Sequence, residues 1–228
     1  MIKAVFFDLF FTLIYPQYFT GKNEYDVVGI SAEEWEHYAE NSDLYKERAL
    51  GEIKDEREII DRIIYSMPYK ISEKQMIEIL NLRQARMQKA LFEVDEKILH
   101  TIREIHEKDI KTCLISNADV IDCKYWTQSP LASFFDEAVF SCDVGMMKPD
   151  LKIYEYALSR LNVKADESLF IGDGGSDELA GARRVGMKTV LTEYLDKKED
   201  EKSEILLREA DYYIKQFDEL TKKVIPFC

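Results

Sequence analysis

The chain has 228 residues, of which 46% are hydrophobic and 33% charged, and its formal net charge is −13. This length and balance suit one sizeable α/β domain, or a core domain with a smaller companion, and they exclude a disordered chain. The negative charge argues against binding of nucleic acid through the bulk surface, and the sequence has no apolar run long enough to span a membrane.

The four cysteines, Cys113, Cys123, Cys142 and Cys228, are widely scattered and show neither C-x-x-C pairing nor zinc-site spacing. We therefore expect reduced thiols. The N-terminus, MIKAVFFDLF, lacks the layout of a signal peptide. Together these features predict a cytoplasmic protein that binds neither membrane nor nucleic acid.

The first predicted element is a buried strand, AVFF at residues 4–7, which stops at Asp8. From there the pattern becomes helical. Two capping boxes, SAEE at 31–34 and SEKQ at 72–75, each begin a segment with apolar residues at helical spacing. We therefore predict that residues 16–92 are mostly helical and contain no strand.

After residue 92, strands and helices alternate, which predicts a parallel, doubly wound sheet. The first strand must return to that sheet. Residues 1–15 and 93–228 are therefore predicted to form the sheet core, with residues 16–92 as an inserted helical domain. The charged stretch at 196–204 is expected to be a solvated loop or helix face. The later predicted strands are IKTCLIS (110–116), DEAVFS (136–141), SLFIGD (168–173), MKTVLT (187–192) and DYYIK (211–215).

Polar side chains gather at the predicted strand ends, where ligands bind in open parallel sheets. Asp8 follows the first strand, and Ser116 and Asn117 lie at the end of the second. Lys148 lies in the connection after the third strand, and Asp173 ends the fourth. Converging carboxylates repel each other unless a cation lies among them, and oxygen ligands favour Mg²⁺. A lysine beside them could neutralise a nucleophilic aspartate and an incoming phosphate.

Taken singly, these residues also have ordinary structural interpretations. Asp8 could cap a turn, and Ser116 and Asn117 are common turn residues. The segment around Lys148 could be a loop in which Asp150 caps the next helix. The stretch IGDGGSDELAGA is more specific, because glycines and acids at a strand-to-helix turn suggest close backbone approach to a ligand or metal. The four features occur in order along the chain, each at a strand end. Together they favour a functional site.

These motifs resemble those of the haloacid dehalogenase-like (HAD) hydrolase superfamily over essentially the whole chain. In FFDLFFTL, Asp8 matches the family nucleophile and Thr12 its partner threonine. In LISNA, Ser116 matches the hydroxyl that binds the transferred phosphoryl group. In GMMKPDLKIY, Lys148 matches the lysine that steadies nucleophile and substrate. The resemblance implies a Rossmann-like core, and the helical insertion at 16–92 lies where the family has its cap domain.

The fourth motif, FIGDGGSDELAGARRVGM, completes the resemblance: Asp173 and either Asp177 or Glu178 match the acids of the family's metal site. The resemblance implies Mg²⁺ as cofactor, held by Asp8, the backbone carbonyl of Phe10, Asp173 and one of those two acids. The implied substrate is a small molecule, a phosphate ester. Asp8 would attack the phosphoryl group and form an aspartyl-phosphate that water hydrolyses.

Asn117 has two interpretations of equal weight. It could orient the phosphoryl oxygens or the lysine of the site, which would make it a substrate-binding residue together with Ser116 and Lys148. It could equally be a turn residue.

The first motif departs from the family pattern at two positions. Many family phosphatases have an aspartate two positions after the nucleophile, which acts as general acid and base. Phe10 stands there and cannot transfer a proton, and Phe11 stands where glycine is usual. Since general acid–base catalysis contributes about 10²–10⁴-fold, we expect a slow or specialised Mg²⁺-dependent phosphatase.

Two alternatives remain open at this point. One is a 2-haloacid dehalogenase-type hydrolase, a branch that has an aromatic residue at the position of Phe10. The other is a catalytically degenerate HAD fold that acts as a binding protein. Six residues in or near the insertion could neighbour the site: Tyr15, Tyr18, Phe19, Tyr45, Lys46 and Arg48. For the aromatic ones, packing into the core of the cap is the simpler expectation.

Overall fold

The computed structural model describes residues 1–198 and 200–227, and within them six parallel strands form one sheet. Numbered in chain order, the strands lie across the sheet in the order 3-2-1-4-5-6, and every neighbouring pair is parallel. The predicted doubly wound sheet is confirmed. The strands are β1 (Ala4–Phe7), β2 (Lys111–Ser116), β3 (Glu137–Phe140), β4 (Ser168–Gly172), β5 (Lys188–Thr192) and β6 (Tyr212–Ile214).

Helices cover both faces of the sheet and make up the segment that follows β1. None of the described helices is both long and apolar enough to cross a membrane. The first five helices lie in the predicted insertion, and the others alternate with the strands. The helices are α1 (Glu24–Val28), α2 (Ala32–Ala39), α3 (Ser42–Ala49), α4 (Glu56–Tyr65), α5 (Glu73–Phe92), α6 (Glu96–His106), α7 (Val120–Cys123), α8 (Ser141–Val144), α9 (Leu151–Leu161), α10 (Glu178–Arg184) and α11 (Asp200–Glu209).

Strand β1 is buried on both faces, as its continuous apolar sequence predicts. Val5 and Phe7 belong to the apolar cluster that includes α6, while Ala4 and Phe6 belong to the cluster that includes α9 and α10. All four side chains have no exposed surface. The strand therefore lies in the centre of the sheet and delivers Asp8 to its carboxyl edge.

Most of the predicted insertion, residues 16–92, packs around a third apolar cluster that includes the predicted stripe of α4, whereas Ala90 and Leu91 at its end belong to the sheet cluster that includes α6. Of the two predicted capping boxes, that of Ser72 and Gln75 is complete. At Ser31 only half of the box forms: the Ser31 hydroxyl accepts the N–H of Glu34 at 3.1 Å, but the Glu34 carboxylate accepts from the Tyr69 hydroxyl instead of from the Ser31 N–H. Ile121 of α7, from beyond the insertion, is buried in the third cluster. Helix α7 thus packs with the insertion although it follows a strand of the sheet.

Strands β2 to β6 are each one or two residues shorter than predicted, and two of the boundary differences have a clear structural reason. Strand β3 ends at Phe140 because Ser141 begins α8, and the Ser141 hydroxyl accepts the Ala118 N–H at 3.0 Å. The sequence predicts a helix over 176–185, but helix α10 begins at Glu178, because Ser176 and Asp177 have φ values of 53° and 49°, in the left-handed region.

The described cysteines are free thiols, as expected for Cys113, Cys123 and Cys142. The Sγ atoms of Cys123 and Cys142 lie 3.9 Å apart. Cys228, expected to be a free thiol as well, lies outside the described residues.

Candidate active site

Three buried carboxylates, those of Asp8, Asp173 and Glu178, meet at the carboxyl edge of the sheet. One oxygen atom from each lies within 4.8 Å of the others. Asp8 follows β1, Asp173 follows the neighbouring β4, and Glu178 begins α10. Their exposed fractions are 5%, 5% and 1%. Such a group is electrostatically unfavourable without cations among the oxygens.

Lys148 supplies one of those cations. Its Nζ makes a close ion pair with Asp8 and donates to Glu178 Oε2 at 2.5 Å, and the residue is 2% exposed. Burial lowers the pKa of Lys148, but Asp8 and Glu178 raise it by more, so the net shift is upward. Burial raises the pKa of Asp8 and that of Glu178, and Lys148 opposes both shifts.

The donor set fits a divalent metal ion. The three carboxylates outnumber the two ammonium groups that contact them, those of Lys148 and Lys198, and so leave excess negative charge in a buried space. Carboxylate oxygens are the ligands that hard divalent cations prefer. The predicted acids and lysine therefore converge as the motifs require.

Asn117 fixes the backbone of Lys148. Its Nδ2 donates to the Lys148 carbonyl at 2.9 Å, and its Oδ1 accepts the Lys148 N–H at 2.8 Å. Asn117 is 7% exposed and lines the cavity of the site. Of the interpretations considered for Asn117, orientation of the lysine is the one that these hydrogen bonds support.

The backbone of the fourth motif distinguishes the two candidate metal ligands. Glu178 Oε1 accepts the Gly174 N–H at 3.2 Å inside the site, whereas Asp177 is exposed. A Cβ at Gly172 would lie 2.0 Å from Glu178 Oε1, so only glycine allows this close approach. Glu178, and not Asp177, joins the cluster with Asp8 and Asp173.

Ser116 and Thr12 bring hydroxyl groups to the end of the central strands. Both residues are fully buried, and each Oγ lacks a hydrogen-bond partner within the described residues. Leu114 pairs with Phe7, which places Ser116 beside the residues that follow β1. A buried hydroxyl without a partner is unfavourable unless a ligand or water satisfies it. Neither side chain lines the cavity, as far as the described residues show.

The two phenylalanines of the first motif occupy the mouth of the site. Both Phe10 and Phe11 line the cavity beside Asp8. Phe11 has a φ of 60°, in the left-handed region where glycine is usual, and its N–H donates to the Ile14 carbonyl at 2.7 Å. The Phe11 and Tyr15 ring centroids lie 5.2 Å apart.

The prediction that the stretch 196–204 is only a solvated segment was wrong for its first residues. Lys198 and Asp196 line the cavity, and the Lys198 side chain is 9% exposed. Lys198 Nζ lies 2.5 Å from Asp173 Oδ2 and 2.6 Å from Asp196 Oδ2. Since this segment follows β5 on the same edge of the sheet, strand-end reasoning could have found Lys198.

A cavity of about 870 Å³ extends from the carboxylates to the helical insertion, a size typical of small-molecule sites. Of the six neighbours predicted from sequence, four line it: Tyr15, Tyr18, Tyr45 and Arg48. Phe19 and Lys46 are not among its described lining residues.

Two arginines of the insertion reach across to α7. Arg48 of α3 makes a close ion pair with Asp119, and Arg83 of α5 lies 3.1 Å from Asp119 and 3.0 Å from Asp122. All four side chains are buried. Burial raises the pKa of Asp119, but the two guanidinium groups outweigh it and lower that pKa overall. Sequence reasoning missed Arg83 and both aspartates, because nothing local marks pairs separated by 36 residues or more.

A third arginine, Arg86, also lines the cavity. Its guanidinium pairs with the buried Glu24 at 2.9 Å and stacks 4.6 Å from the centre of the Tyr18 ring. Three arginines that line the cavity thus each have a carboxylate partner: Arg48, Arg83 and Arg86.

Comparison with known proteins identifies the family. The sequence model described as haloacid dehalogenase-like hydrolase matches residues 2–186. The chain belongs to this family. The four motifs and the parallel sheet are therefore those of a HAD hydrolase.

The curated relatives of this HAD hydrolase resemble it over part of its length. It is 33% identical over 103 residues to bifunctional epoxide hydrolase 2 of Rattus norvegicus, which is 43% of this chain and 18% of that protein. It is 30% identical over 128 residues to glyceraldehyde 3-phosphate phosphatase of Methanocaldococcus jannaschii, which is 54% of this chain and 52% of that protein. The matches thus span from about a fifth to about half of those relatives.

Two solved structures share the fold. A HAD family enzyme of Bacteroides thetaiotaomicron, in complex with magnesium and inorganic phosphate, has a TM-score of 0.66 at 18% identity and covers 89% of this chain and 99% of its own. L-2-haloacid dehalogenase of Xanthobacter autotrophicus has a TM-score of 0.69 at 15% identity, with both chains covered completely.

Proposed function

We propose that this HAD hydrolase is a Mg²⁺-dependent phosphatase that acts on a small phosphate ester. The observation that carries the proposal is the buried cluster of Asp8, Asp173 and Glu178 around Lys148. A carbon-attacking dehalogenase needs no such set of acids. The matched phosphatase from M. jannaschii supports the same choice. The helical insertion, residues 16–92, is proposed to be the cap that closes the cavity.

Asp8 is the proposed nucleophile. One of its carboxylate oxygens would form a bond to phosphorus as the bond between phosphorus and the ester oxygen breaks, giving an aspartyl-phosphate and an alkoxide that takes a proton from solvent water to become the alcohol. Water would then attack phosphorus, releasing inorganic phosphate and restoring the Asp8 carboxylate. The Lys148 ammonium, in contact with Asp8, would offset the charge that develops on the phosphoryl oxygens.

Ser116 and Asn117 are the proposed phosphate-side residues. The unpaired hydroxyl of Ser116 could donate to a phosphoryl oxygen, and Asn117 would keep Lys148 in place through its backbone. Thr12, buried with a free hydroxyl after the same strand as Asp8, is proposed to support the nucleophile.

Mg²⁺ would be held by Asp8, Asp173, Glu178 and the backbone carbonyl of Phe10. When bound, it would shield the anionic substrate from the carboxylates and polarise the phosphoryl group. Phe10 lines the cavity where an acid–base residue would be useful, and its ring cannot move a proton. We therefore expect slow turnover that favours esters with good leaving groups.

Phosphate release from a broad panel of small phosphate esters, with acetyl phosphate and p-nitrophenyl phosphate included, tests the proposal. We expect release in the presence of Mg²⁺ and its loss on addition of EDTA, with recovery when Mg²⁺ is restored. Absence of turnover across the whole panel would contradict a phosphatase.

Glu178 and Asp177 give a matched pair of variants for the metal site. Glu178→Gln is expected to weaken Mg²⁺ binding by at least about tenfold, because it removes a buried anionic ligand while keeping its shape. Asp177→Asn is expected to bind Mg²⁺ as the wild type does, because that side chain is exposed. Isothermal titration of both variants with Mg²⁺ measures the difference in affinity. Weaker binding by Asp177→Asn than by Glu178→Gln would assign the site to Asp177.

A dehalogenase-type hydrolase is the second candidate, favoured by the aromatic residue at position 10 and by the fold shared with the Xanthobacter dehalogenase. In that reaction Asp8 would attack carbon and displace halide. Chloride release from 2-chloropropionate that persists in EDTA would support it. We expect none.

A further inference from the structure

The segment between β5 and α11 places a second ammonium group in the metal-ligand cluster. Lys198 Nζ donates to Asp173 Oδ2 at 2.5 Å and to Asp196 Oδ2 at 2.6 Å. The side chains of Lys198 and Asp173 are 9% and 7% exposed, so their ion pair is largely shielded from solvent. The proposed catalytic steps make no use of this lysine.

Both oxygens of Asp173 already have partners. Oδ1 accepts the Gly175 N–H at 3.1 Å, and Oδ2 accepts from Lys198. A divalent cation and an ammonium at the same carboxylate oxygen repel each other, and in a partly buried site that repulsion is only weakly screened. A metal ion that coordinates Asp173 Oδ2 must therefore either displace Lys198 or bind against its positive charge.

Asp196 gives the displaced lysine a place to remain. It lies two residues before Lys198 and pairs with the same Nζ, and 35% of its side chain is exposed. When Lys198 leaves Asp173, the ammonium keeps this carboxylate as partner and does not become an isolated buried charge.

The Phe11 ring also lies near the Lys198 ammonium. Lys198 Nζ lies 5.8 Å from the centre of the Phe11 ring, within the range of a cation–π interaction. The ring is backed by Tyr15. Phe11 adopts a left-handed φ of 60°, a conformation that disfavours a bulky side chain, so a specific contact of that ring offsets the strain.

We propose that Lys198 is a competitor for the divalent cation, built into the chain, and that Phe11 positions it. The inference rests on the metal site of the proposed function. It gives a role to the aromatic residue at position 11, which the catalytic proposal leaves without one. Metal affinity is then set by a lysine outside the four motifs.

Isothermal titration of the full chain with Mg²⁺ alone tests this inference without a substrate. Lys198→Met, which removes the charge and keeps the length, is expected to bind Mg²⁺ about tenfold more tightly than the wild type. Lys197→Met makes the same change of net charge at the exposed neighbouring residue and is expected to match the wild type. Phe11→Leu is expected to tighten binding about threefold, through loss of the cation–π contact.

The outcomes separate this inference from the proposed function. If the wild type binds Mg²⁺ and Lys198→Met binds no more tightly than Lys197→Met, the competitor role is wrong and the metal site stands. Weaker binding by Lys198→Met would make the lysine a supporting residue and overturn the inference. If none of the proteins binds Mg²⁺, both proposals fail. Circular dichroism checks folding, and Lys198→Gln replaces the methionine variant if that one is unfolded.

Discussion

Replacement of Asp8 by asparagine is expected to lower phosphate-ester turnover by about a thousandfold or more, because the amide cannot form the aspartyl-phosphate. The fold should survive, since Lys148 keeps Glu178 as a partner at 2.5 Å and the side-chain volume hardly changes. Steady-state phosphate release with Mg²⁺, read beside the thermal melting curve, measures the effect.

Asp166→Asn is the matched control for that experiment. Asp166 is exposed just before β4, at the opposite end of that strand from Asp173, so the same chemical change there should leave turnover unaltered. Titration with Mg²⁺ and beryllofluoride, a mimic of the acyl-phosphate, adds a second readout: tight binding by the wild type should be lost with Asp8→Asn. Turnover by Asp8→Asn close to that of the wild type would refute Asp8 as nucleophile.

Replacement of Arg83 by methionine is expected to destabilise the protein by about 3–5 kcal/mol, the range seen when one partner of a buried ion pair is removed. Arg83 pairs with Asp119 and Asp122 at 3.1 and 3.0 Å, and all three side chains are buried. Methionine fills much of the space but leaves excess negative charge in the interior. Urea denaturation, followed by fluorescence, measures the loss.

Arg57→Met provides the comparison for a partly exposed arginine with two carboxylate partners, Asp61 and Glu73. Because solvent reaches those pairs, the midpoint of unfolding should change much less than in Arg83→Met. A loss of stability in Arg83→Met no larger than in Arg57→Met would show that the buried network contributes nothing specific.

The fold was largely predictable because its strands are short apolar runs between charged or turn residues. AVFF and SLFIG are buried on both faces, and local pattern is enough to identify such strands. Helices α7 and α8 were missed because each has four residues, too few for a helical period to appear. Their positions depend on contacts with distant parts of the chain.

The site was predictable where a motif follows a strand and unpredictable where the determining contact is distant. Asp8, Lys148 and Asp173 converge as expected. The choice between Asp177 and Glu178 depends on two left-handed residues that the sequence does not reveal. Lys198 was overlooked because a lysine in a charged stretch has the composition of a solvated surface.

The buried ion pairs on α7 have a mechanical consequence for access to the cavity. Asp119 caps the N-terminus of α7 only three residues after Ser116, and it pairs with Arg48 and Arg83 of the helical insertion. Ile121 is embedded in the apolar cluster of the same insertion. An outward swing of the insertion must therefore either break these pairs or carry the loop from Ser116 to Asp119 with it. With the insertion as the cap of the proposed function, opening of the cavity and the position of that loop are coupled.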